Sequence, residues 1–76
     1  MAADRIHALL ASAFPDGTVE VIDRTGGGDH FQVIVTSAQF DGLSRIDQHR
    51  LVNRALKQPL DDGTIHELRI STKGTA

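Results

Sequence analysis

The chain has no cysteine, no tryptophan and no tyrosine among its 76 residues. Without thiols it can form neither a disulfide nor a thiolate metal site, so any metal chemistry of its own rests on imidazole and carboxylate. No apolar run approaches the roughly 20 residues that span a bilayer. Met1-Ala2-Ala3-Asp4-Arg5 also lacks the basic-then-apolar layout of a secretory signal. A soluble, cytoplasmic protein without membrane contact is therefore expected. Missing Trp and Tyr removes the large amphipathic side chains that often anchor interfaces. The formal charge of −2 gives no global attraction to nucleic acid or to acidic membranes.

What remains is an aliphatic core of Leu, Ile, Val and Ala with Phe14, Phe31 and Phe40. Residues 1–76 read as one small domain, near the lower limit of size for folding without staples. Ile6, Leu9, Leu10 and Ala13 recur at three-and-four spacing and predict a helix over 3–13. Phe14-Pro15-Asp16-Gly17 stops it, because the residue before a proline is pushed out of the α region. Alternating Val19 and Val21 predict a strand over 18–23, and Phe31, Val33 and Val35 a second over 30–37. The short glycine loop Gly26-Gly27-Gly28 between them predicts a hairpin.

Ser44 is placed to cap a second helix, with Asp47 three residues on; Gln58-Pro59 is expected to end it at about Lys57. Asp61-Asp62-Gly63 reads as a turn, and 64–71 as a last strand with His66, Leu68 and Ile70 on one face. Residues 72–76 read as a frayed tail. The order is α-β-β-α-β, an α+β fold with both helices covering one face of a three-stranded mixed sheet. The other face is expected to carry Ile22, Ile34 and Ile65 among polar neighbours.

Catalysis finds little support. There is no nucleophile elbow, no H-E-x-x-H and no evident carboxylate pair. A domain of this size also struggles to enclose a substrate cavity. The glycine run lacks the spacing of a nucleotide loop and joins two strands, so phosphate binding is not expected there. The chain reads as not an enzyme.

His66 is the sharpest chemical candidate, near the start of a strand and just after an acidic turn. Imidazole there suits a borderline metal or iron, while its phase with Leu68 and Ile70 fits a half-buried histidine bonded to a carbonyl. His30 ends the glycine loop and is out of phase with Phe31; it is either an exposed loop histidine or one wall of a site. His49 borders the apolar stripe of the second helix and is expected to pack and bond locally. His7 has no evident partner. Arg45, Arg50, Arg54 and Lys57 are four of the eight basic residues and fall within 13 positions. Arg50, Arg54 and Lys57 form a stripe that is a solvated face, a phosphate track or a seat for an acidic partner.

Taken together, Gly26-Gly27-Gly28-Asp29-His30-Phe31, Phe40-Asp41-Gly42-Leu43-Ser44-Arg45, His49-Arg50-Leu51-Val52 and Ile65-His66-Glu67-Leu68 resemble the BolA family. The likeness runs from Ile6 to Thr72, in the right order and with compatible gaps. It implies a domain similar to a class II KH fold that pairs with a monothiol glutaredoxin. The heterodimer of such proteins holds a bridging two-iron, two-sulfur (2Fe-2S) cluster, and no cluster is expected on the isolated chain. Glutaredoxin cysteine and glutathione supply thiolates, and the BolA-like partner supplies histidine, or cysteine in some branches. The implied roles are iron–sulfur trafficking and iron-status signalling.

By this resemblance His66 is the principal cluster ligand, and His30 is all that the loop offers as a second. Histidines in place of two thiolates imply a raised potential and a labile cluster. Many members of the family continue into a further helix, where this sequence stops at Ala76. Some members are described as DNA-binding transcriptional regulators, which implies an alternative: weak DNA binding through Arg45, His49, Arg50, Arg54 and Lys57. Against it, the G-x-x-G loop of KH domains is reduced here to Gly42 alone. Self-pairing into a homodimer stays open.

Overall fold

A computed structural model describes residues 2–76; Met1, part of the expected domain, lies outside the described residues. The elements are α1 (Ala2–Ala13), β1 (Thr18–Asp23), β2 (His30–Thr36), a 3-10 turn (Ala38–Phe40), α2 (Arg45–Ala55), α3 (Lys57–Asp61) and β3 (Glu67–Lys73). Ile6 and Leu10, one helical turn apart, bury α1 completely along one stripe. The chain leaves the helix through Phe14, whose amide still reaches the Leu10 carbonyl at 2.9 Å. At Gly17 a side chain would collide with the Thr36 carbonyl, so glycine is what allows the turn to pass the end of β2.

The sheet has the order β1-β2-β3. β1 and β2 pair antiparallel from Thr18↔Thr36 to Asp23↔Phe31. β2 and β3 pair parallel from His30↔Glu67 to Thr36↔Lys73. A parallel pair needs a long crossover, and α2 with α3 supplies it. Burial alternates strictly along β2, with Phe31, Val33 and Val35 inward. Those three meet Ile6 and Leu10 of α1 and Val52 and Leu56, at the end of α2, in one core. The α+β fold and the mixed three-stranded sheet are thus as expected. The opposite sheet face carries Ile22 and Ile34 among Glu20, Gln32 and Arg69, as expected for those two isoleucines.

Phe40, from the 3-10 turn, completes the core against Phe14, with ring centroids 5.1 Å apart and planes tilted by 47°. Asp16 fixes this corner. Its carboxylate accepts from the Ala38 amide at 2.8 Å and from the fully buried Ser37 hydroxyl at 3.0 Å. Gln39 adds a third donor from its side chain at 3.4 Å.

The larger departures from the boundaries read in the sequence each have a local reason. Proline does not end the helical stretch: Pro59 is buried within α3, in its first turn, where a missing N–H has no intrahelical acceptor to leave empty. The break falls at Leu56 instead, between α2 and α3. The last strand begins at Glu67 rather than at 64, because Asp62 caps Thr64 and the Ile65 amide is held by the Pro59 carbonyl at 3.1 Å. Ile65 thereby turns into the core at 5% exposure, and it leaves the outer sheet row assigned to it. At its far end β3 includes Thr72 and Lys73, and Asp41 accepts from the Thr75 amide at 2.8 Å and the Ala76 amide at 3.3 Å.

Two outcomes follow from this packing. Phe40→Ala should cost about 3–5 kcal/mol, since it empties an aromatic site in a small core; denaturant unfolding measures it, and a cost under about 1 kcal/mol would contradict the packing described. The second concerns pH. The Ala38 amide, then the Ser37 hydroxyl, hold the Asp16 carboxyl below its usual 3.8. The Ala76 and Thr75 donors lower Asp41 in the same way, and the Thr64 hydroxyl and amide lower Asp62. A lowered folded-state pKa stabilises fully above the unfolded value and is lost as pH falls through the folded one. Stability should therefore decline as pH drops below about 3.8, and Asp16→Asn should flatten part of that slope in denaturant titrations at stepped pH.

Candidate functional site

The parallel register sets His30 opposite Glu67 at one end of the sheet. Just before that pair, the Asp29 carbonyl accepts two amides, from His66 at 2.8 Å and from Glu67 at 3.2 Å. This fork ties the end of the glycine loop to the start of β3. It brings together two histidines that lie far apart in the chain.

Their side chains meet on one carboxylate. His66 Nδ1 lies 3.2 Å from Asp29 Oδ2, and His30 Nδ1 lies 3.5 Å from Asp29 Oδ1. The second nitrogen of His30 faces Glu67 Oε2 at 3.9 Å. Glu67 also stands 3.6 Å from Arg24 Nη1 and 3.8 Å from Arg69 Nε. The His66 side chain is 63% exposed, and its Nε2 makes no ion pair or hydrogen bond among the described residues. It lies in the bend that leads into β3 rather than in the strand. Neither a half-buried position nor a side-chain bond to a carbonyl therefore describes it.

The glycine loop is shaped from within. Asp23 Oδ1 accepts from the amides of Thr25 at 3.3 Å and Gly26 at 2.9 Å, and Oδ2 accepts from Gly28 at 3.0 Å. Gly26 and Gly28 have φ of 75° and 78°, where a side chain is strained. The concave row of amides that could receive an anion thus already holds a carboxylate of the chain itself.

Chemically, the end of the sheet offers an open imidazole nitrogen on His66 and a second imidazole flanked by two carboxylates. Among the described residues no set of three or more His, Asp or Glu donors is arranged to hold a metal ion. Sequence reading singled out both histidines but missed Asp29 and Glu67. The dipeptides Asp29-His30 and His66-Glu67 were the available signal.

The other candidate residues lie apart from this end. On α2, Arg50 Nη1 lies 3.3 Å from Asp47; on α3, Lys57 is bonded to Asp61, whose hydrogen bond and charge raise the ammonium above its usual 10.5. Arg45 and Arg54 are exposed. Arg54 borders a groove of about 460 Å³ that also takes in Leu9, Ala55, Asp61 and Asp62. The basic stripe is thus interleaved with acidic groups, which weakens it as a phosphate track. His49 is half-buried and packs as expected, but its Nε2 is enclosed with no hydrogen-bond partner, so the expected local bond is absent at that atom. His7 is exposed on α1.

Comparison with known proteins decides the family. The family model described as BolA-like protein matches residues 10–76. The chain belongs to the BolA-like family. Among curated BolA-like relatives, one from Dictyostelium discoideum is 46% identical over 92% of this chain and 68% of its own length. Among solved structures, BolA1 from Arabidopsis thaliana superposes with a TM-score of 0.88 at 28% identity, covering 99% of this chain and 93% of that one. The BolA domain of SufE1 from Arabidopsis thaliana gives a TM-score of 0.86 at 29% identity, over 96% and 91% of the two chains. The BolA resemblance read from the spaced motifs is therefore correct. No helix among the described residues is long and apolar enough to cross a membrane.

His49→Leu should stabilise this BolA-like chain by about 1 kcal/mol, since an enclosed nitrogen without a partner is replaced by an apolar group of higher helix propensity. Denaturant unfolding of the two proteins checks it.

Proposed function

We propose that this chain is a non-enzymatic binding module that joins a monothiol glutaredoxin and contributes histidine to a bridging 2Fe-2S cluster. The observation that supports this reading is the convergence of His66 and His30 on Asp29, with His66 Nε2 open to solvent. The donor set fits the group. Imidazole ligates iron, and clusters in which two histidines replace two thiolates are chemically established. The chain brings no thiol of its own, so cysteine and glutathione from the partner side complete the coordination.

His66 is the principal ligand in this reading, because one of its nitrogens is unengaged and the ring is accessible. His30 is the second, and its Nε2 must leave the neighbourhood of Glu67 to serve. The bridging cluster supplies a labile iron–sulfur unit of raised potential, suited to transfer or to sensing of iron status. The occurrence of a BolA domain within Arabidopsis SufE1 supports a module that works alongside other protein parts. The alternative role on DNA has less behind it, since Arg50 and Lys57 are each already paired with an aspartate.

The test is co-reconstitution with a monothiol glutaredoxin, glutathione, iron and sulfide. The wild-type chain should change the visible spectrum of the glutaredoxin cluster. His66→Ala should abolish that change, and His30→Ala should reduce it. A His66→Ala spectrum identical to wild type would refute the assignment.

A further inference from the structure

An imidazole ligates through the nitrogen that carries no proton, so the partner of the other nitrogen decides which one is available. In metal sites that partner is commonly a carboxylate, which fixes the tautomer and the ring orientation. At this end of the sheet Asp29 and His66 make such an arrangement. Asp29 Oδ2 lies 3.2 Å from His66 Nδ1, and an ionised carboxylate can only accept. A lone pair on Nδ1 would face that negative oxygen, whereas a proton there is attracted to it. His66 has no competing contact at Nε2 among the described residues, so the bias is one-sided. His30 differs, for Asp29 lies near its Nδ1 and Glu67 near its Nε2, and the two carboxylates pull the proton opposite ways.

We infer that Asp29 is a positioning residue: it holds the proton of neutral His66 on Nδ1 and so presents the Nε2 lone pair outward as the ligating atom. The ligating half of this statement rests on the cluster-binding reading above; the tautomer half stands on the isolated chain. Two features suit Asp29 to the task. Its backbone carbonyl binds the amides of His66 and Glu67, which fixes the carboxylate relative to the ring. Its loop is held in turn by Asp23 through the amides of Thr25, Gly26 and Gly28. Glu67 is the contrasting group, since its carboxylate faces His30 and leaves His66 alone.

The experiment is a long-range ¹H–¹⁵N correlation on the ¹⁵N-labelled isolated chain, at alkaline pH where the imidazoles are neutral. Ring nitrogen shifts separate the two tautomers. His66 should be mainly the Nδ1–H form, while His7, exposed and without an ion-pair partner among the described residues, serves as the internal reference and should show the Nε2–H form that a solvated histidine side chain prefers. Asp29→Ala keeps the backbone carbonyl and should move His66 to the pattern of His7; Glu67→Gln should leave His66 as in wild type. A wild-type His66 already resembling His7 would overturn the inference without recourse to any variant. A His66 pattern unmoved by Asp29→Ala would overturn it as well. The same variants in the co-reconstitution keep the two claims apart. If His66 is Nδ1–H and depends on Asp29 while His66→Ala leaves the cluster spectrum unchanged, the ligand reading fails and tautomer control by Asp29 stands. If His66→Ala abolishes the spectral change while the tautomer ignores Asp29, the positioning role alone is lost.

Discussion

One peptide carbonyl carries the geometry of the end of the sheet proposed as this molecule's functional site. Asp29 accepts amide hydrogens from both His66 and Glu67, and this fork begins the parallel pairing of β2 with β3. It sets the bend that holds His66 beside His30, the first residue of β2. With it, their rings share one carboxylate, and the carboxylate belongs to the residue that makes the fork. Backbone and side chain of Asp29 therefore act together: the carbonyl fixes where the histidines stand, and the carboxylate acts on their ring nitrogens.

The remainder of the fold keeps that end in place. The buried row Phe31, Val33 and Val35 sets the register of the central strand, because a slip by one residue would turn all three to solvent. The α2–α3 crossover returns the chain for parallel pairing, and Ile65 anchors its last step in the core immediately before His66. The opposite end of β2 is secured at the Asp16 corner, where a carboxylate satisfies the buried Ser37 hydroxyl. An exposed site is thus mounted on a packed strand and two short anchors. Such mounting gives a surface imidazole a defined direction without burying it.

Much of this was legible in the sequence, and what was hidden had a common cause. The period-two runs gave β1 in full and β2 to within a residue, and the spacing of Ile6 and Leu10 gave α1. These depend on side chains and their near neighbours. Pro59 was misread because the local rule that proline ends helices does not foresee a break one turn earlier, at Leu56. Ile65 was placed on the wrong face because a cap at Asp62 and a bond to the Pro59 carbonyl delay the strand, and neither is a matter of alternation. His30 and His66 were visible as candidates, but their common partner was not. Asp29 reads locally as a turn residue after glycines; its role appears only once parallel pairing closes the distance. The basic stripe along α2 and α3 was visible too, whereas its neutralising partners Asp47 and Asp61 gain meaning only from the helical geometry.

Under the proposed function, this BolA-like chain meets the cluster and its glutaredoxin at the Asp29-centred end of the sheet. This is tested most directly by the NMR spectrum of the ¹⁵N-labelled chain in complex with cluster-bearing monothiol glutaredoxin. Paramagnetic broadening should erase the amide signals of Asp29, His30, His66 and Glu67 first, and leave those around Arg54 and Leu9 visible. Broadening centred instead on the groove beside Arg54, with the signals at His66 intact, would contradict the account.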